Sequence, residues 1–405
     1  MEPQRLTDEQ RFHWLRLIRT ERVGPVTFRH LIRRFGSAKS ALEALPRLSA
    51  ENGTARPVKP ASEASIEAEL KTAAALGARF IALGEPEYPR YLAHAENAPP
   101  LVAVLGDVAG LAPAPLAIVG SRNASANGMR FARDTAAALA AEGHAVASGL
   151  ARGIDRSAHL GALETGGTIA VFAGGLDKPY PPQNLDVLDR IANTQGSCAI
   201  SVMPFGHEPQ ARDFPRRNGI IAGLSLAVIV VEAAERSGSL ITAAMATEIG
   251  RLVFAVPGHP VDPRSHGTNS LIREGAELVR SADDILEVVR PLRSSAPLPL
   301  VAALRPANRP AKISHSADDP QPAVSPLQPA PPPQAAAVAV AKGDGMQNTN
   351  PAETVTALLG LAPTRIDDLV RDSGLPAATV HAVLLDLELD GRIERGSGGV
   401  VSLLV

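Results

Sequence analysis

Two short stretches carry residue types that grip phosphate and stack bases. In the first, Gly120, Ser121, Arg122 and Asn123 follow the apolar run Leu116 to Val119 and precede a helical pattern that opens near Gly128. A turn between a buried strand and a helix start exposes unpaired N–H groups at the positive end of the helix dipole, where anions and phosphate above all are favoured. Arg122 adds a planar fork able to hold a phosphate through two parallel hydrogen bonds. The second stretch, residues 212 to 218, sets Phe214 among Arg212, Arg216 and Arg217, next to Asn218. A ring flanked by arginines suits single-stranded nucleic acid, the ring stacking an unpaired base and the cations meeting the backbone. Aromatic residues make up only 3% of the chain, so a ring expected in a loop between arginines stands out. The alternative, a core plug formed by Phe214 beside Pro215, stays open.

Other residues have weaker claims to chemistry. Asp155 and His159 lie one helical turn apart and share a face, which suits an acid/base pair or two metal ligands. No third ligand accompanies them, and an Asp at a helix start is commonly a cap. A structural or positioning role is therefore expected for both and for the neighbouring Arg152, with no metal and no cofactor. Ser237, Gly238 and Ser239 lack the frame of a nucleophile elbow and read as hydroxyls that help to cradle phosphate. The turn after Val119 is neither a Walker A loop nor a dinucleotide fingerprint. A nicotinamide-dependent oxidoreductase, which the fold class alone would allow, accordingly lacks its glycines.

At 405 residues the chain has room for two or three domains, and its formal charge of −2 confines any nucleic-acid contact to local patches. Cys198 is the single cysteine, which excludes an internal disulfide framework and a cysteine zinc site. The first sixteen residues are charged from Glu2 onward and the longest apolar run is about half a bilayer span, so a cytoplasmic protein without membrane contact is expected.

These residues need elements to hold them. From about 116 to 290, short β-branched apolar runs alternate with helical patterns, which calls for a parallel sheet covered on both faces. Ligands in such sheets lie beyond the carboxyl ends of the strands, and each polar Gly-rich stretch here follows a strand. The loops should therefore converge on one edge. Before this lies a helical module with linker over 1–62. It carries nine Lys/Arg against three acids between positions 5 and 40, either a solvated face or a helix-hairpin-helix-like element touching a DNA backbone. The α/β domain is assigned to 63–290, with 63–76 as its first helix. Residues 291–350 hold about a third of the 35 prolines and read as a disordered tether. In 351–405, three helices and two short strands resemble a winged helix. Its third helix bears Asp386, Glu388 and Asp390, a poor surface for a DNA groove and a better one for protein contact or regulation.

Taken in order, IVGSR, SGLARGID, AVFAGGLDKPYPPQN, DFPRRNGIIAGLS, VIVVEAAERSGSLITAAMATEIGR, VFAVPGHP and GTNSLIREGA resemble the DprA (Smf) family of DNA-processing proteins over about 85–290. The resemblance implies an extended Rossmann-like α/β fold that forms a homodimer and binds single-stranded DNA. It further implies loading of the RecA recombinase on incoming strands in natural transformation, without known catalysis. Arg122, Phe214 and the basic residues near it would line the DNA pocket. Where the family usually reads RNR, this chain has Arg217-Asn218-Gly219, and a lysine often found before the aromatic is replaced by the nearby Arg212. The alternative function is a nucleotide hydrolase of the phosphoribohydrolase type, in which Asp155, His159 or Glu232 would act as acid or base.

Overall fold

The computed structural model describes residues 5–51, 58–112, 114–293, 351–359, 364–396 and 399–403. Four helices lead: α1 (Asp8–Arg19), α2 (Pro25–Phe35), α3 (Ala38–Glu51) and α4 (Glu63–Leu76). Their starts are marked chemically. Thr7 and Gln10 form a capping box on α1, Pro25 holds the first position of α2, and Ser62 accepts the Ser65 N–H on α4. Each satisfies or removes a donor that a first helical turn leaves unpaired. Several of the module's arginines turn inward. Arg11 donates to the Phe80 carbonyl at 2.7 Å and to Glu85 at 2.8 Å, Arg16 donates to Ala61 O at 2.7 Å, and Arg19 donates to Glu69 at 2.8 Å and to Val202 O at 3.2 Å. These three arginines of α1 fasten it to the body of the protein, a structural use that the charge count alone did not suggest. The linker expected before position 62 falls partly on 52–57, outside the described residues.

The next elements are β1 (Arg79–Ala82), α5 (Arg90–Ala93), β2 (Leu101–Gly106), β3 (Leu116–Gly120), α6 (Ala126–Ala141), β4 (Val146–Ser148), α7 (Ile154–Thr165), β5 (Thr168–Val171) and α8 (Leu185–Asn193). They are followed by β6 (Cys198–Ser201), α9 (Asp213–Leu224), β7 (Ala227–Val231), α10 (Gly238–Glu248), β8 (Leu252–Ala255), α11 (His266–Arg273), β9 (Glu277–Leu278) and α12 (Ala282–Arg293). Nine strands form one sheet in the order β1-β2-β6-β5-β4-β3-β7-β8-β9. Strands β3 to β9 are parallel, while β2 runs antiparallel to β6 and β1 antiparallel to β2.

Both faces are buried, as the unbroken apolar strands require. Leu116 and Ile118 of β3 join Ile229 and Val231 of β7 under α6, α7 and α12, whereas Ala117, Val119, Val228 and Val230 face the opposite layer under α9 and α10. Gly120 ends β3 where a Cβ would collide with the Val231 carbonyl and the Ile154 side chain, so this glycine lets two loops approach. Cys198 opens β6 with no exposed surface, and burial pushes its thiol up to about 12. Among the described residues no helix is long and apolar enough to cross a membrane.

Helix α12 carries the ordered chain through Pro291 to Arg293, three residues past the expected end of the domain; the remainder of the expected tether, 294–350, lies outside the described residues. Beyond it come α13 (Pro351–Leu358), β10 (Thr364–Arg365), α14 (Ile366–Ser373), α15 (Ala377–Leu389), β11 (Ile393–Gly396) and β12 (Val400–Leu403). The strands pair antiparallel in the order β10-β12-β11, and three helices with a terminal hairpin make the expected winged helix.

Candidate nucleic-acid interface

Helix α9 begins at Asp213, within the stretch expected to be a loop, and this decides where its side chains go. Phe214 therefore sits in a first helical turn and not in a loop. At 100° per residue, Phe214, Arg217 and Asn218 share one face and Arg216 points to another. The coordinates agree: Arg217 Cζ lies 5.7 Å from the centroid of the Phe214 ring, while Arg216 reaches 3.8 Å from Met203 Sδ on the far side. Arg212, the residue before the helix, is exposed.

Phe214 is half-buried, and Arg122 from the loop after β3 approaches it to 5.3 Å. These two residues, nearly a hundred positions apart, thus meet at the carboxyl edge of the sheet. The space between them is a cavity of about 360 Å³ lined also by Gly149 and Arg152 from the loop after β4 and by Tyr180 and Gln183 from the loop after β5. Tyr180 is 52% exposed and stands edge-on to Phe214, with ring centroids 6.1 Å apart. Two rings, Arg122 and Arg152 at one mouth give the base-stacking and phosphate-gripping chemistry of a single-strand site.

The walls are fixed by buried polar bonds. Arg217 is 7% exposed; its Nη1 donates to Val171 O at 3.1 Å and to the Gly149 carbonyl, and its Nε donates to Asn218 Oδ1 at 3.2 Å. A Cβ on Gly149 would occupy the place of that guanidinium. Arg217 is thus the floor of the pocket more than a free contact. Asn218 passes the bond on, donating to the Gly238 carbonyl at 3.1 Å. Asp155 accepts the N–H groups of Gly149 at 3.1 Å and Ala151 at 3.3 Å; burial raises its pKa against the opposing pull of Arg217. His159 is wholly buried with Nδ1 2.7 Å from Thr168 Oγ1, and burial lowers its pKa to about 3. Because the Thr168 hydroxyl donates to Val146 O, His159 Nδ1 is the donor in that pair. Asp155 thus ties the loop after β4 to α7, and His159 ties α7 to β5. Arg152, by contrast, lines the pocket itself.

The N-terminus of α6 is not left open for an anion. Ser125 caps it by accepting the Gly128 N–H at 2.9 Å, and the Glu232 carboxylate accepts the Ser125 N–H at 2.8 Å and its hydroxyl. The backbone amides of this turn are engaged as well: Ser121 N donates to Glu232 O and Asn123 N to Ser121 Oγ, while the Asn123 side chain is exposed. Strand order reverses between β3 and β7, the usual crevice for a ligand, yet Glu232 fills it and the pocket opens on the β4–β5 side instead. Ser237 and Ser239 follow the same pattern: Ser237 caps α10 by accepting the Ser239 N–H, their hydroxyls bond to each other at 2.7 Å, and the Gly238 carbonyl between them accepts from Asn218 of the site. Of the residues singled out in the sequence, Arg122, Phe214 and Arg217 meet in the pocket; Gly120, Ser121, Asn218 and Ser237 to Ser239 support it, Asn123 and Arg212 are exposed beside it, and Arg216 faces away. Tyr180 was missed, though the scarcity of aromatic residues that marks Phe214 applies equally to a tyrosine in a Pro-rich loop. Among the described residues no group of three His, Cys, Asp or Glu is placed to hold a metal ion.

Comparison with known proteins covers all three parts of the chain. Residues 79–290 match the family described as DNA recombination-mediator protein A, 8–72 match a DprA-like N-terminal HHH domain, and 326–399 match a DprA winged helix domain. The Smf protein of Synechocystis sp. is 35% identical over 293 residues, covering 69% of this chain and 73% of its own length. The DNA processing protein DprA of Bacillus subtilis is 40% identical over 213 residues, 52% of this chain and 71% of that protein. The X-ray structure of DprA from Streptococcus pneumoniae superposes with a TM-score of 0.59 at 33% identity, over 70% of this chain and 98% of that one.

Proposed function

Because the chain belongs to the DNA recombination-mediator protein A family, we propose that it binds single-stranded DNA in the pocket of Arg122, Phe214 and Tyr180 and mediates recombination of incoming strands in natural transformation. The observation that carries this reading is the approach of Arg122 to 5.3 Å from the Phe214 ring at the mouth of a 360 Å³ cavity. Guanidinium and ring together serve the two constant features of a single strand, its phosphates and the faces of its bases. A cytoplasmic homodimer that loads RecA onto the bound strand, without a catalytic step of its own, completes the reading on the strength of the family resemblance.

The chemistry of the pocket favours a mediator over a phosphoribohydrolase. Its lining includes no carboxylate and no imidazole, and the three residues a hydrolase would draw on are engaged elsewhere: Asp155 with backbone amides, His159 with Thr168, Glu232 with Ser125. A fluorescence-anisotropy titration of a single-stranded oligonucleotide across salt concentrations tests the proposal. Affinity should fall linearly on a logarithmic plot, with a slope of about 0.7 per neutralised phosphate. Salt-independent binding, or release of free base from nucleoside monophosphates, would overturn it.

A further inference from the structure

The third helix of the winged helix is not free. Leu385 of α15 is 3% exposed, and it is buried among Leu17, Phe28 and Leu31 of the N-terminal module, not with Val380, Leu384 and Leu387 in the core of its own domain. His381 stacks on His30 of α2 with centroids 5.9 Å apart and planes inclined by 29°. Asp386 lies 3.9 Å from Arg34 of α2, and Glu388 lies 3.0 Å from Arg395 of β11 within the same contact.

The two helices in contact are opposite in charge. Helix α2 bears Arg29, His30, Arg33 and Arg34 and no acid, whereas α15 bears Asp386 and Glu388 and neither Lys nor Arg. Around His30 arginines crowd, Arg29 and Arg33 from α2 and Arg395 from the winged helix, and burial holds its ring neutral with a pKa of about 4. A surface of this kind suits a chain of phosphates, and α15 presents to it the Asp386 carboxylate in place of one, while Glu388 is held by Arg395 of its own domain.

We propose that the α2 face of the N-terminal module is a second surface for the phosphate backbone of nucleic acid, and that α15 lies over it as a removable acidic cover. The surface is separate from the Arg122 pocket and stands or falls independently of it. Fifty-seven residues separate Arg293 from Pro351 in the sequence, a length of chain that would reach roughly 190 Å if fully extended. Leu385 is the catch. Its side chain belongs to the module's apolar cluster, so replacing it loosens the contact while the winged helix keeps its own core.

The test uses full-length Leu385→Asp, with Leu385→Ala as a second variant should the first fail to fold. Small-angle scattering reads the position of the winged helix, and anisotropy reads binding of single-stranded and duplex oligonucleotides. The expected result is a larger radius of gyration and at least tenfold tighter binding of one or both oligonucleotides, although Leu385→Asp adds a negative charge. The slope of log K against log salt should steepen by about 2 to 3 for three engaged arginines. Adding Arg33→Ala and Arg34→Ala to the open variant should return affinity to that of the parent. An unchanged radius would show that α15 is not removable, and an enlarged radius with unchanged affinity would leave an acidic protein as the partner of α2; either result overturns the proposal.

Discussion

Glu232 accepts the backbone N–H of Ser125 at 2.8 Å, so the positive end of α6 is neutralised from within the protein. Phosphate attraction at this edge accordingly falls to side chains, Arg122 first among them. Replacing Arg122, which is exposed, with alanine should weaken single-strand binding by about 1.5–3 kcal/mol and leave thermal stability unchanged. Phe214→Ala should cost about 1–3 kcal/mol. The double variant should lose less than the sum, because Arg122 stacks on the same ring. Anisotropy titrations of the three variants check this, and full additivity would place the two residues at separate sites.

Tyr180 should behave as a second stacking face. With half its surface exposed beside Phe214, it is free to meet a base without first leaving a core. Tyr180→Ala should weaken binding by about 1 kcal/mol or somewhat more, whereas Tyr180→Phe keeps the ring and the affinity. Equal losses in both would assign the effect to the hydroxyl.

Arg217 should act on the fold more than on the ligand. Its removal strands the Gly149 and Val171 carbonyls in a closed site, at a cost of about 2–4 kcal/mol for the pair. Lysine should not rescue it, since a single ammonium cannot reproduce the fork that also reaches Asn218. Urea denaturation followed by circular dichroism reads the loss. Wild-type stability in Arg217→Lys would contradict the assignment.

His159 should make the α/β domain acid-labile. Its folded pKa, about 3, lies below the ordinary value of 6.5, so the unfolded chain takes up a proton that the native one refuses. The contribution is whole above pH 6.5 and declines as pH falls from 6.5 toward 3, by up to about 1.4 kcal/mol per pH unit. Asp155, whose pKa is raised, works in the opposite sense at the acid end of that window. The difference between wild type and His159→Gln in a series of denaturation midpoints isolates the histidine. Parallel pH profiles would show that it is not the source.

The sheet was legible because strands buried on both faces leave continuous apolar runs, as LAIVG and AVIVV do. The site was legible only in part. Phe214 and Arg122 could be chosen from composition, but the start of α9 could not: Pro215 and the arginines resemble a loop, Arg212 before the helix offers no side-chain cap, and Asp213 is instead held by Gln210 N and His207 in the turn just ahead of it. Reading the stretch as a loop treated Arg216 and Arg217 as equivalent, when the helix sends them to different sides. Glu232 was invisible as a cap, because the residue it serves lies 107 positions earlier in the chain. The acids of α15 were visible in the sequence as a poor match to a DNA groove, but the approach of Asp386 to Arg34 is a matter of tertiary contact alone.

Cys198 has a practical consequence. Its thiol is enclosed and stays protonated at neutral pH, so a maleimide dye will pass it by. A cysteine introduced on α2 or α15 therefore becomes the sole reactive handle in an otherwise natural chain, and a fluorophore placed there can report the movement of the two helices in real time.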